Sequence, residues 1–294
     1  MTKILDCFKQ IEEIVSPKHT TRGLDQVNLN NQLYLITEAL MKSKSICIVS
    51  GFQVAGTDKG ETDGPIGALS LANALNQLGK NTWIVTDYFS KNMMEAAKKP
   101  IHLSTEVIEQ NNQDLESWIH PFLKENNIDH LIAIERPGLS QDGHYYSMNG
   151  VSLHPDVCRF DQLFNVASQQ GIITSAIGDG GNEIGMGKIK EYISKHVPQG
   201  VKIVAQTETD FLLVTGVSNW GGHAISGGLS LMSKKMLLYD EMIEKQILAI
   251  MVAAGAIDGC TKAAELSVDG LPVQEHMTVV KKIRTLIEAY IFAS

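Results

Sequence analysis

Apolar residues recur along this chain in two periods, and the alternation between them predicts its elements. Residues 2–15 place Ile4, Leu5, Phe8, Ile11 and Val15 on one helical face, and Ser16-Pro17 ends that helix. A polar link over 18–25 carries Thr21-Arg22-Gly23, and a second helix over 29–42 carries Leu33, Ile36, Leu40 and Met41. The run SICIVS at 45–50 is short, apolar and β-rich, as a buried parallel strand is. A glycine-rich loop follows, then a helix that Pro65 opens and Gly79 stops, then the strand NTWIVT at 81–86. Strand, loop, helix and strand in that order make a βαβ unit.

The pattern repeats. Helices are expected near 90–98, 114–126 and 159–170, with strands at 130–134 and 171–177. Helical spacing then runs from Met186 to His196, and 201–205 and 211–214 read as further strands. Three helices near 222–236, 240–256 and 278–292 close the chain. No repeat or linker divides it. The expectation is one α/β domain over 1–294, a doubly wound, mostly parallel sheet with helices on both faces and the helical segment 1–42 packed on it.

Composition narrows the partners. With 44% hydrophobic and 20% charged residues in 294, the chain can bury a sizeable core. A formal net charge of −8 argues against nucleic acid, which wants clustered Lys and Arg. Cys7, Cys47, Cys158 and Cys260 lie far apart with no CxxC pair, so thiols in a reducing, cytoplasmic setting are expected. The apolar run 247–257 is too short to span a bilayer, and the N-terminus lacks a signal-peptide core. Small-residue helices near 222–233 and 253–256 could pack on each other or on a second subunit.

The densest signal is Ile177–Gly187, IGDGGNEIGMG, with five glycines around Asp179, Asn182 and Glu183. A strand-to-helix turn needs one or two glycines; five imply close approach of backbone to a ligand. A phosphate loop fits poorly, because the GxGxxG register is absent and Lys188 lies beyond the glycines. Acids also follow three other strands: Glu61 and Asp63, then Asp87, then Glu135 beside Arg136. Parallel sheets bind ligands beyond their strands' carboxyl ends, so these side chains would share one rim. Crowded carboxylates repel, and oxygen ligands without His or Cys favour a hard divalent cation. The plainer alternative is that Asp63 and Asp179 cap helices. Arg22 and Arg136 are candidates for a substrate carboxylate or for structural ion pairs, and His144 for proton transfer or for a solvated loop.

Together ETDGPIGA (61–68), ERPG (135–138) with DGHYY (142–146), IGDGGNEIGMGK (177–188), GVSNWGG (216–222), VDGLP (268–272) and Arg22-Gly23 resemble the D-glutamate cyclase family. The resemblance runs from about residue 20 to 275; the loop 52–60 and the segment 255–260 depart from the family pattern, which bears on substrate preference. It implies conversion of D-glutamate to 5-oxo-D-proline and water by a carbon–oxygen lyase, with Mg²⁺ or Mn²⁺ as cofactor. On that reading Asp63, Asp179, Glu183 and Glu61 are candidate metal ligands. Asp179, Glu183, Glu61, Glu135 and His144 are candidates for the chemistry. Arg136, Arg22, Asn182, Asn219, Gly180 and Gly181 would hold the substrate. A metabolite-binding protein without activity, or another metal-dependent hydrolase or lyase, is the alternative.

Overall fold

A computed structural model describes residues 2–19, 22–27 and 29–292; Thr21, within the polar link, lies outside these. Helices α1 (Thr2–Val15) and α2 (Gln32–Lys42) precede strand β1 (Ser45–Ser50). Then follow α3 (Pro65–Gln77), β2 (Asn81–Thr86), α4 (Tyr88–Ala97), β3 (Glu106–Glu109), α5 (Leu115–Glu125), β4 (His130–Ile134), α6 (Asp161–Gln169) and β5 (Ile173–Gly178). The chain continues through α7 (Lys190–His196), α8 (Gly200–Ile203), β6 (Phe211–Val214), α9 (Ser218–Ser233) and α10 (Glu241–Ala253). A small hairpin, β7 (Ser267–Val268) and β8 (Leu271–Pro272), leads into α11 (Val273–Phe292).

The main sheet has six strands in the order β3-β2-β1-β4-β5-β6, each pair parallel. Cys47 of β1 lies opposite Trp83 on one side and Leu131 on the other. From β1 the chain winds outward through β2 and β3, returns to β4, and winds the other way. The carboxyl ends of β1 and β4 therefore open a crevice between them, where such sheets bind ligands.

Both faces of the sheet are covered. Ile46 and Ile48 of β1 join a core built with α1, α3, α9, α10 and α11, while Cys47 and Val49 join one built with α5, α6 and α7. All six residues of β1 are buried, which is why its sequence is apolar without alternation. Each large aliphatic side chain fully buried in these layers contributes roughly 1.5–3 kcal/mol.

Helices α3 and α9 cross at Gly67 and Gly222. A Cβ on Gly222 would stand 2.5 Å from Gly67 Cα, and one on Gly67 would stand 2.9 Å from Asn219 Cα. Residues 218–231 of α9 are all buried, so its small-residue surface packs within this chain and offers no face to a second subunit. Among the described residues no helix is long and apolar enough to cross a membrane.

Three elements differ from the sequence pattern. Residues 201–205, expected as a strand, begin with the helical turn α8. Gly200 and Ile203 are buried at a spacing of three while Val201 is 74% exposed, a helical pattern too short to read in sequence. The helix expected from Met186 begins as a 3₁₀ turn over Gly187–Ile189. The edge strand β3 has the pattern Glu-Val-Ile-Glu, too short and too polar to stand out.

Gly222→Val should lower stability by about 3 kcal/mol, because neither helix backbone can retreat from the crossing. A urea melt checks it; an unchanged midpoint would show that the helices separate at little cost.

Candidate active site

The crevice is lined from three strand ends. The loop after β1 returns through Glu61, Thr62 and Asp63 to α3. Glu61 N donates to Phe52 O (2.9 Å), and Thr62 N donates to Ile257 O (3.0 Å). Glu135 directly follows β4 with φ 45°, in the left-handed region that non-glycine residues seldom adopt. Asp179 directly follows β5. Asp63, Glu135 and Asp179 are buried and each brings one carboxylate oxygen to within 4.8 Å of the others. Gly64, at φ 90°, makes the crowding possible, since a Cβ there would stand 2.5 Å from Glu135 Cβ.

Each acid has its own surroundings. Asp63 Oδ1 accepts from the amides of Gly64 (2.9 Å) and Asn219 (2.8 Å), and Oδ2 from that of Ser218 (2.9 Å). It is a helix cap, but for α9 and not for α3, whose cap position is Gly64. Glu135 Oε2 accepts from the Ser218 hydroxyl at 2.6 Å. Asp179 caps nothing: one oxygen pairs with Arg22, and Oδ2 has no hydrogen-bond partner among the described residues. Glu183 folds back over its own loop, Oε1 accepting from Asp179 N (3.1 Å) and Gly180 N (2.6 Å) and Oε2 from Gly181 N (2.7 Å).

Arg22, in the link between α1 and α2, places its guanidinium between Asp179 and Asp269, the latter at 2.9 Å. Asp269 sits at φ 56° in the β7–β8 turn, and its Oδ2 also lacks a partner among the described residues. A cavity of about 120 Å³ opens here, lined by Arg22, Glu61, Glu135, Asp179, Asn182 and Asp269 among others.

Burial sets the electrostatics. It raises Glu61, Glu135 and Asp179 well above the ordinary carboxylate range, with neighbouring carboxylates adding to the rise. Asp63 is pushed up to about 7 by burial and by Asp269, against the amides of Asn219 and Ser218. Glu183 is raised by burial, which its backbone bonds oppose. Six carboxyls thus share the crevice with the single guanidinium of Arg22. The triad Asp63, Glu135 and Asp179 can hold a metal ion, and the partnerless Asp179 Oδ2 fits a hard cation with oxygen ligands.

The remaining candidates are placed differently. Arg136 does not reach the cavity: it is fully buried, pairs with Asp87 at 2.7 Å, and donates to Gly51 O (2.9 Å) and Cys158 O (2.7 Å). His144 has a side chain 66% exposed and meets Asp142. Both ends of Asn219 serve backbone, Oδ1 accepting from Gly67 N (2.8 Å) and Nδ2 donating to Thr62 O (3.0 Å). Asn182 lines the cavity; its Nδ2 donates to Tyr146 O at 2.7 Å. The amides of Gly180 and Gly181 are taken by Glu183. Lys188 bonds the carbonyls of Thr209 (3.2 Å) and Asp210 (2.8 Å). Sequence reasoning passed over Asp269, Cys260 and Lys262 as cavity residues. Asp269 lies in the VDGLP segment that resembles the family pattern, but no spacing in the sequence ties it to Asp179 or assigns it to the cavity.

Fold and rim define a doubly wound α/β protein with a carboxylate-lined site at its switch point. The chain belongs to the family described as D-glutamate cyclase-like, C-terminal, which it matches over residues 11–284. The human protein D-glutamate cyclase, mitochondrial, is 29% identical over 319 aligned residues, covering 96% of this chain and 51% of the human one. The chain thus spans about half the length of that curated relative. A solved exopolyphosphatase-related protein from Bacteroides fragilis superposes with a TM-score of 0.44 at 10% identity, over 92% of this chain and 62% of that one.

Glu183→Gln exchanges an acceptor for a donor facing backbone amides. It should cost about 2 kcal/mol, read as a lower thermal midpoint, while a chain that melts as the wild type does would show the loop to be held otherwise. The raised carboxyls bind protons more tightly folded than unfolded, where their values lie near 4. Their contribution to stability is therefore full below about pH 4 and is lost as pH rises through the folded values, about 7 for Asp63. Without added divalent ion the melting temperature should fall between pH 6 and pH 8, and divalent ion should restore more at pH 8 than at pH 6. Equal midpoints at both values, with and without the ion, would contradict this electrostatic account.

Proposed function

We propose that this protein is a D-glutamate cyclase, a lyase that converts D-glutamate to 5-oxo-D-proline and water with Mg²⁺ or Mn²⁺ in the crevice. The observation that carries the reading is the buried triad of Asp63, Glu135 and Asp179 at the switch point of a chain in the D-glutamate cyclase-like family. The residues matched, 11–284, cover all six strands of the sheet, so the reading takes the chain as one unit.

In the reaction the α-amine nitrogen bonds the γ-carboxyl carbon, a carbon–oxygen bond breaks, and the departing oxygen leaves as water. Asp63, Glu135 and Asp179 would hold the divalent ion; bound there, it supplies Lewis-acid polarisation of the γ-carboxylate. Glu61, which lines the cavity outside the triad, is the candidate to take the amine proton and return one to the departing oxygen. Burial, with neighbouring carboxylates adding to it, raises Glu61 well above the ordinary carboxylate range, which favours its accepting a proton. Arg22, which pairs with Asp179, would donate to the γ-carboxylate as its charge shifts. Glu183 acts by fixing the loop that carries Asp179. His144 has no part in these steps, being exposed and outside the cavity. A small cavity that keeps the substrate curled contributes by position, since well-oriented intramolecular attack lowers barriers by roughly 7–11 kcal/mol.

Purified protein should form 5-oxoproline from D-glutamate when Mg²⁺ or Mn²⁺ is present and lose that activity in EDTA, with L-glutamate as the control, read by chiral chromatography. Asp179→Asn should cut turnover by about a hundredfold or more while leaving the circular dichroism spectrum unchanged. Wild-type turnover in that variant, or no product under any condition, would overturn the reading.

A further inference from the structure

A dicarboxylic substrate whose γ-carboxylate lies at the acidic triad still needs a cation for its other carboxylate. The cavity lining offers two, Arg22 and Lys262. Arg22 is shared between Asp179 and Asp269, so its charge is balanced within the protein. Lys262 is not balanced in this way. Its Nζ donates to the carbonyl oxygen of Ala55 at 2.9 Å and makes no ion pair with a carboxylate among the described residues. An ammonium has three donors, so two remain for a ligand.

The loop that carries Lys262 is built rather than loose. Asp258, fully buried, accepts from the amides of Cys260 (2.8 Å) and Thr261 (2.9 Å) through Oδ1. Its Oδ2 accepts from the Ser267 hydroxyl (2.5 Å) and Gly270 N (2.8 Å), and its carbonyl from Lys262 N (2.8 Å). One buried carboxylate therefore positions both Lys262 and the turn bearing Asp269. Lys262 itself sits at φ 56°. A lysine adopts that conformation at a cost that glycine would not incur, and here the bonds from Asp258 hold it there. The bond to Ala55 also ties this loop to the segment 52–55, which forms another part of the cavity wall.

We propose that Lys262 binds the α-carboxylate of the amino-acid substrate, the carboxylate that cyclisation does not consume, and so selects substrates that carry a free one. The inference rests on the D-glutamate cyclase reading. Lys262→Gln removes the charge and shortens the side chain by one atom while keeping an N–H donor; Lys262→Arg keeps the charge and the reach to Ala55 O. Calorimetry with D-glutamate and with its α-amide, in the presence of the divalent ion, is run beside turnover. Lys262→Gln should weaken D-glutamate binding and raise its KM by roughly ten- to a hundredfold with little change in kcat. Lys262→Arg should retain most of the affinity. The wild type should bind the α-amide poorly, and Lys262→Gln should bind it no worse than the wild type does. Unchanged D-glutamate binding in Lys262→Gln, or an equal loss against both ligands, would overturn the inference while leaving the cyclase reading intact. Binding of D-glutamate without product would overturn the cyclase reading, and the affinities would still decide the role of Lys262. A wild type that binds no D-glutamate would overturn both.

Discussion

The carboxylate of Asp63 holds the two halves of the crevice together. It stands on the loop that follows β1, yet it accepts the first amides of α9, the helix that follows β6. Those amides are the ones a helix leaves without partners, and a negative charge there is further favoured by the helix dipole. Asn219, in the same first turn, returns the contact by bonding Gly67 N and Thr62 O. Ser218, beside it, donates to Glu135. The close crossing of α3 and α9, the glycines that permit it and the placement of two of the three triad acids all follow from this one reciprocal cap.

Burying so many carboxyls in one crevice carries a cost that the fold meets in several ways. Backbone amides stabilise Asp63 and Glu183, a hydroxyl supports Glu135, and Arg22 offsets Asp179 and Asp269. What is left over is an excess of negative potential with raised proton affinity, directed at a small cavity. Such a region attracts cations and ammonium groups and rejects an anion unless a counter-charge accompanies it. An amino acid with two carboxylates is a demanding ligand for it, which is why the cationic side chains at the cavity matter out of proportion to their number.

Much of this was legible in sequence, for a physical reason. In a parallel sheet every strand delivers its carboxyl end to the same rim, so acids in the loops that follow apolar runs are brought there without any need to know their pairing, although Asp87, expected on the same rim, pairs with Arg136 and does not line the cavity. Glu61, Asp63, Glu135, Asp179 and Glu183 could be grouped in that way. Arg136 looked the same from sequence, being one residue beyond Glu135, but its guanidinium is spent inside the protein on Asp87 and two carbonyls. Residue type does not reveal which way a side chain turns at a strand end. Asp269 and Lys262 were hidden differently, because they come from a loop with no strand of the main sheet before it. The helix-cap alternative for Asp63 was right in kind and wrong in target, since caps between distant elements leave no local spacing.

Arg22 and Asp269 lie near opposite ends of the chain and meet only at the cavity. Helices α1 and α11 pack together in the same core layer, so the two termini are joined there as well. Domains emerge from synthesis N-terminus first. The loops bearing Asp63, Glu135 and Asp179 are therefore made before the turn that carries Asp269, and the cavity is unfinished until that turn has been made. The cavity is thus a late product of folding, since the acids of the strand ends gain their counter-charge and their outer wall only when the loop bearing Lys262 and Asp269 docks on them.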